Sequence, residues 1–308
     1  MSVRRFSILF AAVAATAATD LQAAPIDLGV AGTFNIYTLG NFSGYNSSVQ
    51  GAAAAAGNFA ASNYSINQGN VDGAGGYALA AGGSLAYTNG SIRNGLYYAG
   101  GAQSFTGVGF NGATATATAP FSFADVAADM HALSGKLAGL DATGSAATAY
   151  GGMKLTGSDG PTTVFNLSGS ALSGVNYFNF QDLASGDTLI VNVSGIDVTL
   201  QGGWGGFGNY NVLFNFYEAE SLAFNGVGVQ GSILAPRASV VGGNGAIDGN
   251  VIVDEWSSPL ALHAGRYFLP TDVPGFAAAA PVPEPQTYTL LLVGLGLIGY
   301  CVRKRRRA

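Results

Sequence analysis

The chain has 308 residues, of which 47 are glycine and only 9% are charged, with a formal net charge of −5. Residues 25–280 hold five basic against fifteen acidic residues, which argues against nucleic acid as a partner, because phosphate contacts need clustered Lys and Arg. A single cysteine, Cys301, and two histidines, His131 and His263, leave no internal disulfide and no thiolate metal site.

In chain order, Arg4 and Arg5 precede an apolar, small-residue run from Phe6 to Ala18 and small residues at Ala23 and Ala24. This is the layout of a secretory signal peptide over 1–24, handled by the Sec export machinery. Residues 25–270 then show short apolar runs broken every few residues by Gly, Asn and Ser, the pattern of many brief strands joined by turns. Val229–Ala235 aligns with Ile247–Val253 at an offset of 18 residues, and Val49–Ala55 and Ile92–Tyr98 repeat the form. Such units bury an apolar face only when stacked, so the spacing predicts a β-solenoid, with a β-sandwich as the competing arrangement. One segment differs. Phe123, Val126, Ala127, Met130, Leu133, Leu137 and Leu140 recur at helical spacing between Phe121 and Asp141, with Ser122 as N-cap, Asp125 in the first turn and Gly144 as the stop. The fold class is therefore all-β with one flanking helix.

An Ala/Pro linker over 271–281 leads to Val282-Pro283-Glu284-Pro285-Gln286-Thr287, an apolar segment over 288–302 and the cluster Arg303, Lys304, Arg305, Arg306 and Arg307. Fifteen residues at about 1.5 Å rise span roughly 22 Å, a short transmembrane helix that snorkelling arginines and local thinning make tolerable. The basic run is expected to stay cytoplasmic as the anchor.

Conventional chemistry is sparse. Gly226–Gly231 fits the dinucleotide-binding glycine pattern, but the residues after it read as a strand stopped by Pro236 rather than a helix. Glu218 with Glu220, and Asp254 with Glu255, are carboxylate neighbours that establish no glycosidase pair. His263 and Arg266 read as the capped end of the last strand. Asp72, Asp159 and Asp248 sit in turns without the repeated loop of a calcium-binding solenoid. No catalytic, metal or cofactor residues are assigned. Tyr87, Tyr97, Tyr98, Trp204, Phe207 and Tyr210 lie among glycines and asparagines; of these, Trp204, Phe207 and Tyr210 are the candidates for stacking on sugar rings.

Two resemblances rest on these residues. Pro283-Glu284-Pro285, Thr287, the apolar span and the terminal arginines resemble the PEP-CTERM sorting signal of Gram-negative bacteria, over 282–308. That resemblance implies recognition of Pro283, Glu284 and Pro285 by the membrane protease exosortase, and an association with exopolysaccharide and biofilm matrix. Phe34–Tyr37, Leu39–Ser43, Ala80–Ser84, the helix, and Val212–Ala219 leading into Gly228–Pro236 resemble the choice-of-anchor A domain, a bacterial surface adhesin class, over most of 26–269. It implies a right-handed β-helix-like body and brings no catalytic residues. The reading is a non-enzymatic, exported, envelope-anchored structural or adhesive protein displayed to exopolysaccharide or neighbouring cell surfaces. The alternatives are a secreted polysaccharide-modifying enzyme and an ice- or glycan-binding β-helix module; a flat, regular Thr/Ala/Ser ledge would favour the last, and the irregular repeats count against it.

Overall fold

In the first strand to form a continuous ladder, Ile36–Thr38, every side chain is buried, and the same holds for Ala53–Ala55 and Tyr77–Ala81. Strands covered on both faces lose the in–out alternation and become unbroken apolar runs. By contrast, Leu85–Arg93 and Ser221–Gln230 alternate buried and exposed residues over much of their length, as strands with one solvated face do. The computed structural model describes residues 25–273, 275, 276, 295, 303 and 305. The expected signal peptide, the sorting residues Pro283, Glu284 and Pro285, the apolar segment apart from Leu295, and Lys304, Arg306 and Arg307 lie outside the described residues. Arg303 and Arg305 are exposed. Among the described residues no helix is long and apolar enough to cross a membrane.

The strands stack in parallel rungs of an 18-stranded sheet that folds around one apolar interior, a solenoid with three faces. On the first face the pairing order is Thr162–Ser168, Thr188–Ser194, Asn211–Phe216, Ser232–Val241, Val251–Ser258, Ile36–Thr38, Ala53–Ala55, Tyr77–Ala81, Leu96–Ala99 and Thr114–Ala115. The chain thus starts in the middle, builds outward to Ala115, crosses back through helix α1 (Phe123–Ala138), and rebuilds from the far end until Val251–Ser258 meets the first rung. The 18-residue offset seen in the sequence is a rung: Val229 pairs with Ile247, and Ile233 with Val251. The seam is closed by side chains as well as backbone. Trp256, Phe42 and Phe59 stack across three successive rungs, with ring centroids 6.5 and 4.2 Å apart.

Rungs approach one another closely where a side chain is missing. A Cβ on Gly90, whose φ is +142°, would lie 1.8 Å from the Tyr64 carbonyl. At one corner Asn46, Asn63 and Asn89 take left-handed φ values of 52°, 49° and 54°, which asparagine tolerates best after glycine, and the Asn63 amide donates to Asn46 Oδ1 at 3.0 Å.

Helix α1 begins where expected, with Ser122 Oγ accepting from the Asp125 amide at 3.3 Å, but ends at Gly139 rather than Gly144. Val126, Met130, Leu133 and Leu137 bury against Val164, Ile190, Leu213, Leu234 and Ile252 of the first face. Its last turns are held by an asparagine ladder: Asn215 donates to Ser134 O at 3.0 Å, Asn192 to Leu137 O at 2.7 Å and Asn166 to Leu140 O at 3.1 Å. These carbonyls include ones that the end of a helix leaves without internal partners. His131 lies on the exposed side.

Two expectations change. A second, four-residue helix, α2 (Gly169–Leu172), and a three-stranded sheet of Ser145–Ala149, Gly152–Thr156 and Tyr177–Gln181 close one end of the solenoid. The linker also starts later than residue 271. Thr271 bridges Ile26, and Val273 and Phe276 are buried, because these apolar residues complete the core beside Phe268. Pro25–Phe276 is a compact unit with its own core.

Candidate functional site: a flat ledge on the second face

The second face is built from the strands that alternate, so every other side chain reaches solvent at a fixed register. Ser43 pairs with Ser257 on one side and Ala60 on the other; Ala60 pairs with Ala86, and Ala86 with Ser104. Val241 pairs with Ser257, and further along Ala223 pairs with Thr199. A second row runs beside it through Tyr45, Ser62, Thr88 and Thr106. Side chains repeat about every 4.8 Å along the solenoid and roughly 6.7 Å along each strand. These two rows hold no charged residue, and apart from Tyr45 nothing larger than Val or Thr. Phe42, Phe59, Leu85 and Tyr87 support the ledge from beneath, each 0–1% exposed.

The sequence conceals this regularity. Successive rungs on this face begin at Phe42, Phe59, Leu85 and Gln103, so the repeat length is uneven. The extra residues are looped out at another corner, around Asn67–Gly76, where Asn67 binds Asp72 Oδ1, the Arg93 carbonyl and the Val71 amide. The ledge stays in register while the chain does not repeat.

Charge is confined to the ledge's margin. Asp197, Ser221, Ser239 and Glu255 form the flanking row. Glu255 accepts from Asn41 Nδ2 at 3.2 Å. Burial, then the neighbouring Glu255, raise the carboxyl of Asp254 above its usual range, with His131 opposing them. A carboxyl raised in the native state binds its proton before the unfolded chain does, so its strain on stability is relieved as pH falls through the native pKa. Against Asp254→Asn, the wild-type melting temperature is therefore expected to gain ground on acidification from pH 7 towards the carboxylate range. Parallel thermal melts across that interval measure it, and a constant difference between the two proteins contradicts it.

The aromatic candidates fall elsewhere. Trp204 and Phe207 are each 1% exposed and cannot stack on a sugar in this fold. They plug the closed end with Phe178 and Phe214, at ring distances of 4.8–5.9 Å, and Trp204 Nε1 donates to Gln201 O at 3.1 Å. Gly202 and Gly206, at φ +80° and +97°, turn a segment that reads as a polar loop so that its rings point inward. Tyr210 is half-buried against Phe180, at 5.1 Å. Tyr87 is also in the core, while Tyr97 and Tyr98 are half-buried.

The remaining motifs resolve structurally. Gly226–Gly231 runs through the strand Ser221–Gln230 and into the next strand, with no helix after it. Pro236 does not end the strand Ser232–Val241; it sits buried within it, where the register shifts between Ala235 and Ser239. Asp248 pairs with Arg266 at 3.3 Å and accepts from the Gly265 amide at 2.7 Å, and Arg266 also donates to Gly208 O. The His263 carbonyl accepts from Asn35. Glu218 and Asp197 line a cleft of about 520 Å³ with Ser168, Ser170, Ser173, Ser194 and Thr199. Glu218 there accepts from the Gly195 amide at 2.9 Å, and no Arg, Lys or His lines the cleft.

With this geometry in view, comparison with known families gives two matches. Residues 27–264 match a family described as "Putative Ice-binding-like adhesive domain", and residues 281–307 match the PEP-CTERM protein-sorting motif. Neither the curated proteins nor the solved structures yield a match to the chain.

Proposed function

Because the chain belongs to the ice-binding-like adhesive domain family and ends in an exosortase sorting motif of exported cell-surface proteins of Gram-negative bacteria, we propose that it is a non-enzymatic surface adhesin whose working part is the ledge of the second face. The observation that carries this is the in-register row Val241, Ser257, Ser43, Ala60, Ala86 and Ser104, small and uncharged at every rung. A flat array of weak contacts gains strength by repetition, so no deep pocket is needed. The resemblance to choice-of-anchor A domains supports the same reading, and exopolysaccharide of the surrounding matrix is the proposed surface.

A second reading is favoured by the ledge's lattice-like spacing: an ordered, periodic surface, ice or a crystalline polysaccharide, in place of single glycan chains. Binding of residues 25–276 to soluble exopolysaccharide, to insoluble crystalline polysaccharide and to ice separates the two. Glycan cleavage without retention on any of them overturns both.

Sorting is tested separately. Replacing Pro283, Glu284 and Pro285 together with alanine is expected to leave an unprocessed, membrane-retained precursor, seen by its mass in fractionated cells. Normal maturation of that variant would refute processing through this motif.

A further inference from the structure

The two ends of the solenoid are not alike. At the far end the edge of Thr162–Ser168 is covered, with the amides of Thr143 and Gly144 donating to Val164 O, and α2 packs against Asp197–Gln201. At the other end the last long strand, Gln103–Asn111, pairs within the described residues with Leu85–Arg93 only, apart from a bridge at its corner. Its inward positions carry Gln103 over Leu85 and the aromatic residues Phe105 and Phe110 over the core, with no rung above them among the described residues. Phe105 stands over Tyr87 and Phe110 over Ile92; Tyr87 and Ile92 are 1% and 0% exposed, whereas Phe110 is 39% exposed. Tyr97, Phe105 and Phe110 form an open aromatic cluster with ring centroids 5.0–5.9 Å apart. Proteins guard such an edge with charges, proline or a covering segment. Gln103–Asn111 contains no Lys, Arg, Asp, Glu or Pro.

We propose that this end is an interface for a second copy of the chain, joined head to head about a two-fold axis. The ladder itself defines the register. Leu85 donates to Ala102 O, and in a parallel ladder alternate residues face the neighbouring strand. The Ala102 carbonyl and the backbone groups of Ser104 and Thr106 therefore face Leu85–Arg93, while Gln103 and Phe105 turn their N–H and C=O groups outward, with no partner among the described residues. Antiparallel pairing with Phe105 opposite Phe105 of the second copy satisfies both groups, and it places inward side chains over inward side chains. It also sets Gln103 opposite Gly107. The same three-sided cross-section is what an identical end offers, and the covered far end cannot offer it, so the assembly closes at two copies instead of growing into a fibre. With the axis through the second face, the two ledges become coplanar and the array doubles in length.

The test uses residues 25–276, which carry their own core, alongside the full chain in detergent. Sedimentation and light scattering are expected to give the mass of two chains for both, with the Gln103 and Phe105 amides protected from hydrogen exchange. Gln103→Pro removes an outward amide and no bond to Leu85–Arg93. It should give a single-chain mass at an unchanged melting temperature. Phe110→Lys, which places a charge in the open core, should do the same if the proline variant fails to fold. A single-chain wild type, an open-ended series of sizes, or a Gln103→Pro variant that stays paired overturns the proposal. So does a full chain that is single while residues 25–276 pair, since a segment outside them would then cover the edge.

Discussion

Replacing Asn250 with alanine is expected to lower unfolding free energy by about 3–5 kcal/mol, among the largest effects of any single substitution in this fold. Asn250 sits at the seam where the end of the chain meets its beginning. Its Nδ2 donates to Gly32 O and to Phe34 O, both at 2.8 Å, its Oδ1 accepts from the Phe268 amide at 2.9 Å, and its backbone amide donates to Ser232 Oγ. The residue is 0% exposed. Alanine leaves the carbonyls of Gly32 and Phe34 short of a donor and the Phe268 amide with Ser232 Oγ as its one remaining acceptor, and each buried group left short costs about 1–3 kcal/mol. For a domain of this size, roughly 2–4 °C is lost per kcal/mol, so a fall of about 10 °C is expected. Asn250→Asp is a sharper probe: it keeps the acceptor for Phe268 but turns an oxygen toward the carbonyls of Gly32 and Phe34. It should be at least as damaging at neutral pH and partly relieved by acid, where the protonated carboxyl donates. A loss below about 1 kcal/mol for Asn250→Ala would show that the aromatic stack of Trp256, Phe42 and Phe59 holds the seam without it.

The seam also explains which features the sequence discloses. Rung spacing is a local property, and the match of Val229–Ala235 to Ile247–Val253 reports it correctly. The amphipathic stripe of α1 and its Ser122 cap are equally local. What joins Val251–Val253 to Ile36–Thr38 is a contact across more than 200 residues, marked in the sequence only by unremarkable residues such as Asn35, Asn250 and Trp256. The faces differ more legibly. Unbroken apolar runs such as Ala52–Ala56 and Ile233–Ala235 belong to the face covered by the helix or by other chain segments, and alternating runs to the open ledge. The ledge itself was hidden because register, not repeat length, defines it, and the 26 positions from Phe59 to Leu85 look irregular until the loop at Asn67–Gly76 is set aside. Trp204 and Phe207 show the opposite failure. Glycine and asparagine neighbours mark a turn, but whether the turn presents its rings to solvent or folds them under depends on positive φ values at Gly202 and Gly206 that composition cannot specify.

If the ledge is the adhesive surface, one protruding side chain in its middle should do more harm than loss of any single contact on it. Ala86→Arg places a long, charged side chain between Ala60 and Ser104, at a position already exposed to solvent, so the fold should tolerate it. A flat partner surface would be held off across the neighbouring rungs, removing several weak contacts together, and the guanidinium would lose water wherever contact persisted. Retention of residues 25–276 on the polysaccharide or ice surface that binds the wild type is expected to fall at least tenfold, about 1.4 kcal/mol. Gln68→Arg adds the same charge at an exposed corner away from the ledge and should leave retention unchanged, which separates a shape effect from an electrostatic one. Equal losses in both variants would point to charge repulsion by the partner. Full retention by Ala86→Arg, at an unaltered melting temperature, would move the adhesive surface off this face.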